Sequence, residues 1–392
     1  MEFRFTPEQE AFRKEVSDFL DKEAPPEWVK HRVSFFDMAS QENWIVTYRE
    51  MCQKIGAKGW LSLHWPKEYG GQGASPIYRL ILREELTRHH SPGFDSIGAG
   101  IVAPALLLKG TEEQKRQHLP GIAQGKVIWC ETLSEPGHGS DLAAIDTFAR
   151  EDKDRFIVNG QKTWTTHGHV ADWNALVVRT DREATPKHRG LSFFLLDMKT
   201  PGITVSPVIN MAGHHEFNEV FFDDVRIPKE NVVGGLNQGF YVVMALLDYE
   251  RTCDVVYAVA ETFLNDVAEY ALENSLLTPV MKNRMAELMA ECEVARLLHY
   301  YVTWMQSQGQ VPNYESALCK LYSFELNQRV TEFGMQLLGH YSQLAEGSPW
   351  VPIYGRVPSC YLRSYGHSLE QGTSEIDRDV IAQRGLGMPR MR

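Results

Sequence analysis

The chain has 392 residues, of which 43% are hydrophobic, and it can therefore bury the cores of two or three packed domains. Its 40 basic and 51 acidic residues give a formal net charge of -11, which argues against a nucleic-acid-binding groove. The cysteines are scattered without a C-x-x-C pair, and no histidines stand at metal spacing, so the composition predicts reduced thiols and no metal site.

The sequence shows no targeting or membrane signal. The opening stretch MEFRFTPEQEAFRKEV is charged and lacks an apolar core. The most apolar stretch, GLSFFLLDM, is far shorter than a membrane span. We therefore expect a cytoplasmic protein without a membrane span.

Residues 1–124 are predicted to form an N-terminal all-α domain. In TPEQEAFRKEVSDFLDKEAPPEW, Thr6 is a candidate N-cap, Pro7 suits the first helical position, and Pro25 and Pro26 end the pattern. The apolar residues of this stretch recur at helical spacing: Phe12, Val16, Phe19 and Leu20. The stretches YRLILREELTRHH and EEQKRQHLPGIAQG continue the helical pattern.

Residues 125–232 change to short β-branched and aromatic runs such as RFIVNG, WNALVVRTD and EVFFDDVRI. Turn residues separate these runs at close intervals, which indicates a small antiparallel, barrel-like β-domain. The helical pattern returns over residues 233–392, so the predicted order is α, then β, then α. No dinucleotide fingerprint or phosphate-binding loop is present, and nicotinamide and ATP chemistry therefore lack their usual sequence signs.

The stretch ETLSEPGHGSDL precedes the β-domain and carries Ser134, Gly137, Gly139 and Ser140. Two glycines let a backbone approach a ligand closely, and exposed N–H groups and hydroxyls suit a flavin edge or the phosphate and amide groups of an acyl carrier. An ordinary loop would have the same composition. This segment alone does not separate the two interpretations.

The stretch QKTWTTHGHVADW places Trp164, Thr165 and Thr166 at the end of a predicted hairpin. An indole can cover one face of a flat ring while a threonine hydroxyl reaches its polar edge, although tryptophan and threonine are also ordinary strand residues. The nearby histidines lack ligand spacing, and we interpret them as solvated or structural: His138, His167 and His169.

Glu250 is the most unusual residue of the C-terminal region because it lies on an apolar helical stripe. That stripe contains Val243, Leu246, Cys253 and Tyr257. Burial raises the pKa of a carboxyl group toward neutrality, which suits a general base. An ion pair with an arginine such as the adjacent Arg251 would also explain a carboxylate at this position.

Together these stretches resemble the acyl-CoA dehydrogenase family. The motifs that carry the resemblance occur in order along the whole chain: SEPGHGSD, NGQKTWTT, LLDYERT, QLLGHY and GTSEIDRDVIAQRGLGMPR. The resemblance implies an α+β multidomain fold whose C-terminal helices form a four-helix bundle. It also implies that FAD binds between this bundle and the β-domain, in a homotetramer built as a dimer of dimers.

The resemblance assigns the cofactor and the substrate to specific residues. Trp164 and Thr166 would flank the isoalloxazine ring, and Gln336, Leu338 and Gly339 would reach a neighbouring subunit's FAD. The remaining cofactor contacts carried over are Glu131, Thr132, Leu133, Ser134, Gly139, Ser140, Thr165, Thr373 and Glu375. The substrate contacts carried over are Ser140, Tyr249, Arg251 and Gln371.

The resemblance also predicts the catalytic base, because different types within the family place it at one of two positions. In the medium-chain type a glutamate precedes the C-terminal Gly-Thr, and here that position is Gln371, an amide that cannot take a proton. In the isovaleryl and long-chain types the base is the glutamate of a Glu-Arg pair, which this sequence matches at Glu250 and Arg251. Glu370, one position from the medium-chain site, is the rival.

The resulting prediction is FAD-dependent α,β-dehydrogenation of an acyl-CoA, with Glu250 taking the α-proton and electron-transferring flavoprotein accepting the electrons. An acyl-CoA oxidase or a flavin monooxygenase on the same fold is an alternative. A partner subunit of a heteromeric dehydrogenase is another, because the arginine of the family's R-x-x-F-G segment is missing from EYALENSLLTP. The sequence does not determine the acyl group of the substrate, which could range from straight-chain to sterol-derived.

Overall fold

The computed structural model describes residues 4–34, 36–41, 43–250 and 255–389, with only the backbone for residues 248–250. The N-terminal region is helical, as predicted. Its α-helices are α1 (Pro7–Glu23), α2 (Pro26–His31), α3 (Trp44–Ala57), α4 (Pro76–Arg88), α5 (Ala103–Lys109) and α6 (Glu112–Ala123). A π-helix, Gly98–Val102, leads into α5.

The first helix confirms the predicted start signal. Thr6 is the N-cap of α1, its hydroxyl accepts from the backbone N–H of Gln9, and the Gln9 side chain accepts from the backbone N–H of Thr6. Pro7 occupies the first turn. The helix ends at Glu23, but Pro26 then begins α2 and does not simply stop the pattern, because proline lacks only an N–H that a first helical turn leaves unused.

The middle region is an eight-stranded sheet in the order β6-β7-β3-β2-β4-β5-β8, with β1 paired to β4. Most pairs are antiparallel, as predicted, but β1 and β2 each run parallel to β4, so the sheet is mixed. The strands are β1 (Trp129–Thr132), β2 (Phe148–Asp152), β3 (Arg155–Lys162), β4 (Trp173–Arg179), β5 (Leu191–Asp197), β6 (Ile203–Ile209), β7 (His215–Pro228) and β8 (Val232–Val233).

The C-terminal region is helical again, which confirms the predicted α, β, α order. Its α-helices are α7 (Gly239–Glu250), α8 (Val256–Glu273), α9 (Pro279–Ser307), α10 (Tyr314–Leu338), α11 (Arg356–His367) and α12 (Ser374–Val380). Helix α10 packs against α8, α9, α11 and α12. Helix α7 packs against β5, α5 and the π-helix.

Buried charges join the N-terminal domain to the C-terminal bundle. The Glu84 side chain of α4 is fully buried and accepts from the hydroxyls of Tyr257 and Tyr300 and from the Arg13 guanidinium. These partners come from α8, α9 and α1, so one carboxylate ties four helices together. None of the described helices is both long enough and apolar enough to cross a membrane.

Candidate active site

A buried ion pair supports the loop that follows β1. The Lys162 side chain is 0% exposed, and its Nζ donates to Glu135 Oε1 and to the Leu133 carbonyl, each at 2.9 Å. Glu135 also accepts from the backbone N–H groups of Asp146 at 2.6 Å and Thr147 at 2.9 Å. The hydrogen bonds of Lys162 and Glu135 together therefore fix the position of residues 133–135.

Burial shifts the two members of this pair differently. Burial lowers the pKa of Lys162 to about 8, and the Glu135 carboxylate opposes the shift. Burial would raise the pKa of Glu135, but Lys162 and the backbone donors outweigh it and hold that pKa below its ordinary value. Both groups are charged at neutral pH, and the loop rests on a satisfied ion pair.

The outer face of the same loop is open. Ser140 and both glycines of the PGHGS stretch are exposed. A Cβ added at Gly137 or Gly139 would meet no protein atom within 4 Å. Packing within this chain therefore does not require glycine at either position, and a ligand would have room to approach this backbone closely.

The segment after β3 lies beside this loop, because the Thr163 N–H donates to the Ser134 carbonyl at 3.0 Å. Trp164 has a left-handed φ of 59°, and its side chain is 58% exposed. Its indole forms a T-shaped pair with the Phe217 ring, with ring centroids 5.8 Å apart. We call residues 131–140 and 163–167 the middle-domain wall. Its surface carries an exposed aromatic ring beside an exposed, glycine-containing loop.

Two predicted cofactor residues of this wall have buried side chains. Thr132 is 0% exposed, and its hydroxyl donates to Asn174 Oδ1 at 3.0 Å. Thr165 is also 0% exposed, and its backbone N–H donates to the Asn218 carbonyl at 2.9 Å. Both side chains support the wall from inside, and the predicted cofactor contacts at these two positions stay predictions. Thr166 is half-buried.

The C-terminal turn, residues 370–373, is held by a second buried lysine. Lys320 Nζ donates to the Gly372 carbonyl at 2.6 Å and to Asp377 Oδ2 at 2.9 Å. Gln371 and Gly372 have positive φ values of 53° and 93°. Thr373 is the N-cap of α12, and its hydroxyl accepts from the Ile376 N–H at 3.3 Å. The neighbouring Glu375 is exposed.

Glu370 is occupied by an ion pair. Arg363 Nη2 donates to Glu370 Oε2 at 2.9 Å. Burial acts to raise the pKa of Glu370, but Arg363 and then His367 outweigh it, and the pKa lies below its ordinary value. A carboxylate with a lowered pKa is a weaker proton acceptor at neutral pH. The structure therefore gives Glu370 a structural partner.

Arg363 also connects the C-terminal turn to the middle-domain wall. Its Nε and Nη2 donate to the two carboxylate oxygens of Glu216 at 2.8 and 2.9 Å. The Glu216 carbonyl accepts in turn from the His167 N–H at 2.9 Å. The structure thus brings together two of the predicted segments, which lie in different domains.

Glu250 ends helix α7. Val243 and Leu246, earlier on the predicted apolar stripe, are 0% and 1% exposed, so the face on which position 250 falls by helical spacing is the buried one. The side chains of Tyr249 and Glu250, and all of Arg251, lie outside the described part of the chain. Their predicted roles stay predictions.

The QLLGHY segment lies away from the other predicted residues. Gln336 is sixteen residues beyond Lys320 on α10, which corresponds to about 24 Å along the helix axis. Gln336 and Gly339 are exposed, whereas the Leu338 side chain is 5% exposed and packs inside the bundle. Within one chain this segment does not join the wall or the turn.

The sequence interpretation missed the charged residues that support the site. Lys162 and Lys320 are the supporting lysines, and Arg363 is the bridging arginine. Lys320 lies on a buried stripe of α10 whose other members, at helical spacing, are Ser316, Phe324 and Asn327. Two of these neighbours are polar, so the sequence did not mark this stripe as the apolar stripe of Glu250 was marked.

No group of three or more histidine, cysteine, aspartate or glutamate side chains in the described ranges could hold a metal ion. The five cysteines that the structure describes are free thiols; four are buried and Cys360 is half-buried. Cys253 falls among residues 251–254, outside those ranges.

Three family models cover nearly all of the chain. The N-terminal domain of acyl-CoA dehydrogenase matches residues 6–126, the middle domain residues 130–225 and the C-terminal domain residues 237–386. The acyl-CoA dehydrogenase FadE26 of Mycobacterium tuberculosis is 34% identical over 100% of this chain and 99% of its own length. The chain belongs to the acyl-CoA dehydrogenase family. The resemblance seen in the sequence is confirmed.

Solved structures agree with this assignment. A structure titled Tcur3481-Tcur3483 steroid ACAD is 30% identical, with a TM-score of 0.90 and complete coverage of both chains. The ChsE4-ChsE5 complex of Mycobacterium tuberculosis is 33% identical, with a TM-score of 0.88 and complete coverage of both chains. This acyl-CoA dehydrogenase therefore has the fold predicted for the family, and it is an oxidoreductase of acyl-CoA metabolism.

Proposed function

We propose that this acyl-CoA dehydrogenase removes the α-proton of an acyl-CoA thioester with Glu250 while FAD accepts the β-hydrogen. Family membership supports the reaction class, and the arrangement of the middle-domain wall supports the cofactor. The observation that carries the choice of base is the ion pair between Glu370 and Arg363.

The middle-domain wall fits a flat cofactor. Its exposed Trp164 indole can cover one face of a ring system, and the open loop at Gly137 and Gly139 leaves room beside it. FAD bound there would supply hydride acceptance, which no amino-acid side chain can provide. The residues we assign to FAD are Glu131, Leu133, Ser134, Gly139, Ser140, Trp164, Thr166, Thr373 and Glu375.

The C-terminal turn offers no free carboxylate for proton abstraction. Position 371 is an amide, and Glu370 is held by Arg363 with a lowered pKa. Glu250 is the family's other base position, and it ends a helix whose preceding stripe residues are buried. A carboxylate near such a surface meets the desolvation that raises a pKa toward neutrality.

The same turn would bind the thioester carbonyl. We assign this role to the Gln371 backbone N–H, because a donor aimed at the carbonyl oxygen stabilises the negative charge that develops as the α-proton leaves. The positive φ values at Gln371 and Gly372 and the Lys320 hydrogen bond keep this backbone in one conformation. Ser140, Tyr249 and Arg251 are the remaining substrate contacts that we propose.

The test is anaerobic stopped-flow reduction of the flavin by substrate in three variants. Glu250→Gln should retain its fold and FAD but slow flavin reduction by about 10²- to 10⁴-fold, the usual loss for a general base. Glu370→Gln should be much milder, because an amide oxygen can still accept from Arg363. Gln371→Glu in the Glu250→Gln background should restore part of the rate by supplying a carboxylate at the medium-chain position.

Near-normal reduction in Glu250→Gln would place the base elsewhere. A collapse of the rate in Glu370→Gln, with Glu250→Gln unaffected, would identify the C-terminal turn as its source. Thioester binding, measured in each variant before reduction, separates a lost base from a lost substrate site.

We further infer that this chain works with a second, different subunit. Residues 269–279, which span the end of α8 where relatives carry an arginine that contacts a neighbour's flavin, contain no basic residue. Both solved relatives above are named for two polypeptides together. A homotetramer would then lack this arginine at every site, and a partner chain would supply it.

Purification of the chain alone and with a candidate partner tests the assembly. We expect substoichiometric FAD in the chain alone and full occupancy in a mixed oligomer, measured by flavin absorbance and light scattering. Stoichiometric FAD in a homotetramer of this chain would rule out the requirement for a partner.

A steroid-derived thioester is the substrate class that we propose. One relative is titled a steroid ACAD, and the π-helix that packs against α7 begins with the small residues Gly98, Ala99 and Gly100. The π-helix packs against α7, at whose end the proposed base lies, and π-helical turns often occur at functional sites. Flavin bleaching across a thioester panel should be fastest with steroid thioesters; faster bleaching by short straight chains would contradict this choice.

The electron acceptor that we propose is an electron-transferring flavoprotein. One solved relative, 25% identical with a TM-score of 0.83, has a title that names such a protein from Acidaminococcus fermentans. Substrate turnover should reduce that acceptor or a dye without forming hydrogen peroxide. Stoichiometric peroxide under air would instead identify an oxidase.

A further inference from the structure

Arg363 occupies an unusual position between two domains. Its side chain on α11 is 5% exposed, and its guanidinium contacts Glu216 of β7 through two hydrogen bonds and Glu370 through a third. The separations in sequence are 147 residues to Glu216 and 7 residues to Glu370. One buried cation therefore joins the middle domain to the C-terminal turn.

The Glu216 side of this bridge leads directly to the middle-domain wall. The Glu216 backbone pairs with His167, and the next residue, Phe217, supports the Trp164 indole from its edge. The Arg363 guanidinium carbon lies 5.4 Å from the Phe217 ring centroid, within the range of a cation–π contact. Arg363 thus touches both residues of β7 that hold the outer part of the wall.

The Glu370 side leads to the backbone that would bind the thioester. Glu370 immediately precedes Gln371, whose φ of 53° is uncommon for a residue other than glycine. Arg363 fixes one end of the C-terminal turn at Glu370, and Lys320 fixes the other at Gly372. The position of the Gln371 N–H relative to the wall therefore depends on the Arg363 bridge.

We propose that Arg363 is a positioning residue that sets the separation between the middle-domain wall and the C-terminal turn, and so aligns the flavin with the thioester carbonyl. This inference rests on the proposed function. The planar fork of an arginine can pair with one carboxylate through two N–H groups and still reach a second, which a lysine ammonium cannot do with the same geometry.

Arg356 provides a matched control on the same helix. It lies seven residues before Arg363, its side chain is also 5% exposed, and it also bridges two carboxylates. Its Nε donates to Asp37 at 3.0 Å and its Nη1 to Asp266 at 2.6 Å. Neither partner belongs to the wall or the turn, so loss of Arg356 removes a comparable buried bridge without touching the site.

The experiment compares Arg363→Gln, Arg363→Lys and Arg356→Gln, each prepared in the same assembly as the wild type. We expect Arg363→Gln and Arg356→Gln to lose similar thermal stability. Only Arg363→Gln should weaken FAD affinity, by about tenfold or more, and slow flavin reduction by about 10- to 100-fold, since displacement of a reacting group by about 1 Å has effects of that size. Arg363→Lys should fall between Arg363→Gln and the wild type.

Hydrogen exchange gives a readout that needs neither FAD nor substrate. In the cofactor-free protein, amides of residues 370–373 should exchange faster in Arg363→Gln than in Arg356→Gln. Equal FAD affinity, equal flavin reduction and equal exchange in these two variants would overturn the proposal, because Arg363 would then contribute only general stability.

A milder change covers the case in which Arg363→Gln does not fold. Glu216→Gln keeps the side-chain volume and removes the charge, and it should weaken FAD affinity and speed exchange at residues 370–373. Wild-type values of both in Glu216→Gln would overturn the proposal. Neither measurement uses a thioester, so a failure of the proposed base, seen as normal reduction in Glu250→Gln, stays distinguishable from a failure of this inference.

Discussion

The middle-domain wall and the C-terminal turn are supported in the same way by residues from different places. Each contains a backbone carbonyl that accepts from a buried lysine: Leu133 accepts from Lys162, and Gly372 accepts from Lys320. The lysine side chains are 0% and 1% exposed. In each region, one buried lysine therefore holds a short irregular segment of backbone in place.

The regions differ in where the matching carboxylate lies and what else it binds. Glu135 belongs to the wall itself, 27 residues from Lys162, and accepts two further backbone N–H groups. Asp377 lies on α12, 57 residues from Lys320 on α10, so this ion pair joins two helices. The wall is therefore a local structure of one sheet, whereas the turn depends on how helices pack.

Replacement of the helix-joining lysine should have the largest effect. In Lys320→Met the fully buried Asp377 carboxylate loses its cation, and we expect a loss of about 3–5 kcal/mol in the free energy of unfolding. Urea unfolding of the cofactor-free protein measures it. Arg378→Met removes an exposed ion pair to Glu325 between the same two helices and should cost less than about 1 kcal/mol. Equal losses would remove the distinction between the two pairs.

Replacement of the lysine under the wall should cost less. In Lys162→Met the Glu135 carboxylate keeps both backbone donors, so we expect a loss of about 1–3 kcal/mol. Lys229→Met, which breaks an exposed pair with Glu151 on the same sheet, is the control. A larger loss in Lys162→Met than in Lys320→Met would reverse the comparison drawn above.

Acid should reveal the contribution of Glu135. Its folded pKa is lowered, so its stabilising contribution is fully present above the unfolded value of about 4.3 and is lost as pH falls through the folded value. Between pH 5 and pH 3 the wild type should therefore lose stability more steeply than Glu135→Gln. Melting temperatures at several pH values test this, and parallel curves would show that Glu135 makes no such contribution.

The smallest effect on stability is expected at the surface of the wall. Trp164→Ala should change the free energy of unfolding by no more than about 0.5 kcal/mol, because the indole is 58% exposed. FAD content or the flavin absorbance spectrum should nevertheless change, as it should in Thr166→Val. An unchanged spectrum and full FAD content in both variants would remove these residues from the proposed cofactor site.

Local sequence patterns predicted the elements well. The Thr6 cap and the change from helical to strand periodicity both follow from residues close together in the chain. The parallel pairing of β1 with β4 could not be predicted in this way, because it joins Trp129 to Trp173 across two intervening strands.

The supporting charges of the site were harder to predict for the same reason. Arg363 meets Glu216 only after the middle domain and α11 have packed, and no short motif marks the pair. Lys162 has the same parity along β3 as the buried Phe156 and Val158, so strand alternation points it inward but does not identify Glu135 as its partner. Lys320 lies among polar as well as apolar neighbours on α10, so helical periodicity alone does not mark it as buried.

The seven-residue spacing of Arg356 and Arg363 gives helix α11 a mechanical role. Two turns of helix separate the arginines by about 10 Å along the axis and leave them on nearly the same face. One arginine holds Asp37 of the N-terminal domain, and the other holds Glu216 of the middle domain. A shift or rotation of α11 would therefore displace both arginines together. The contacts of this helix with the N-terminal domain and with the middle domain are coupled for that reason.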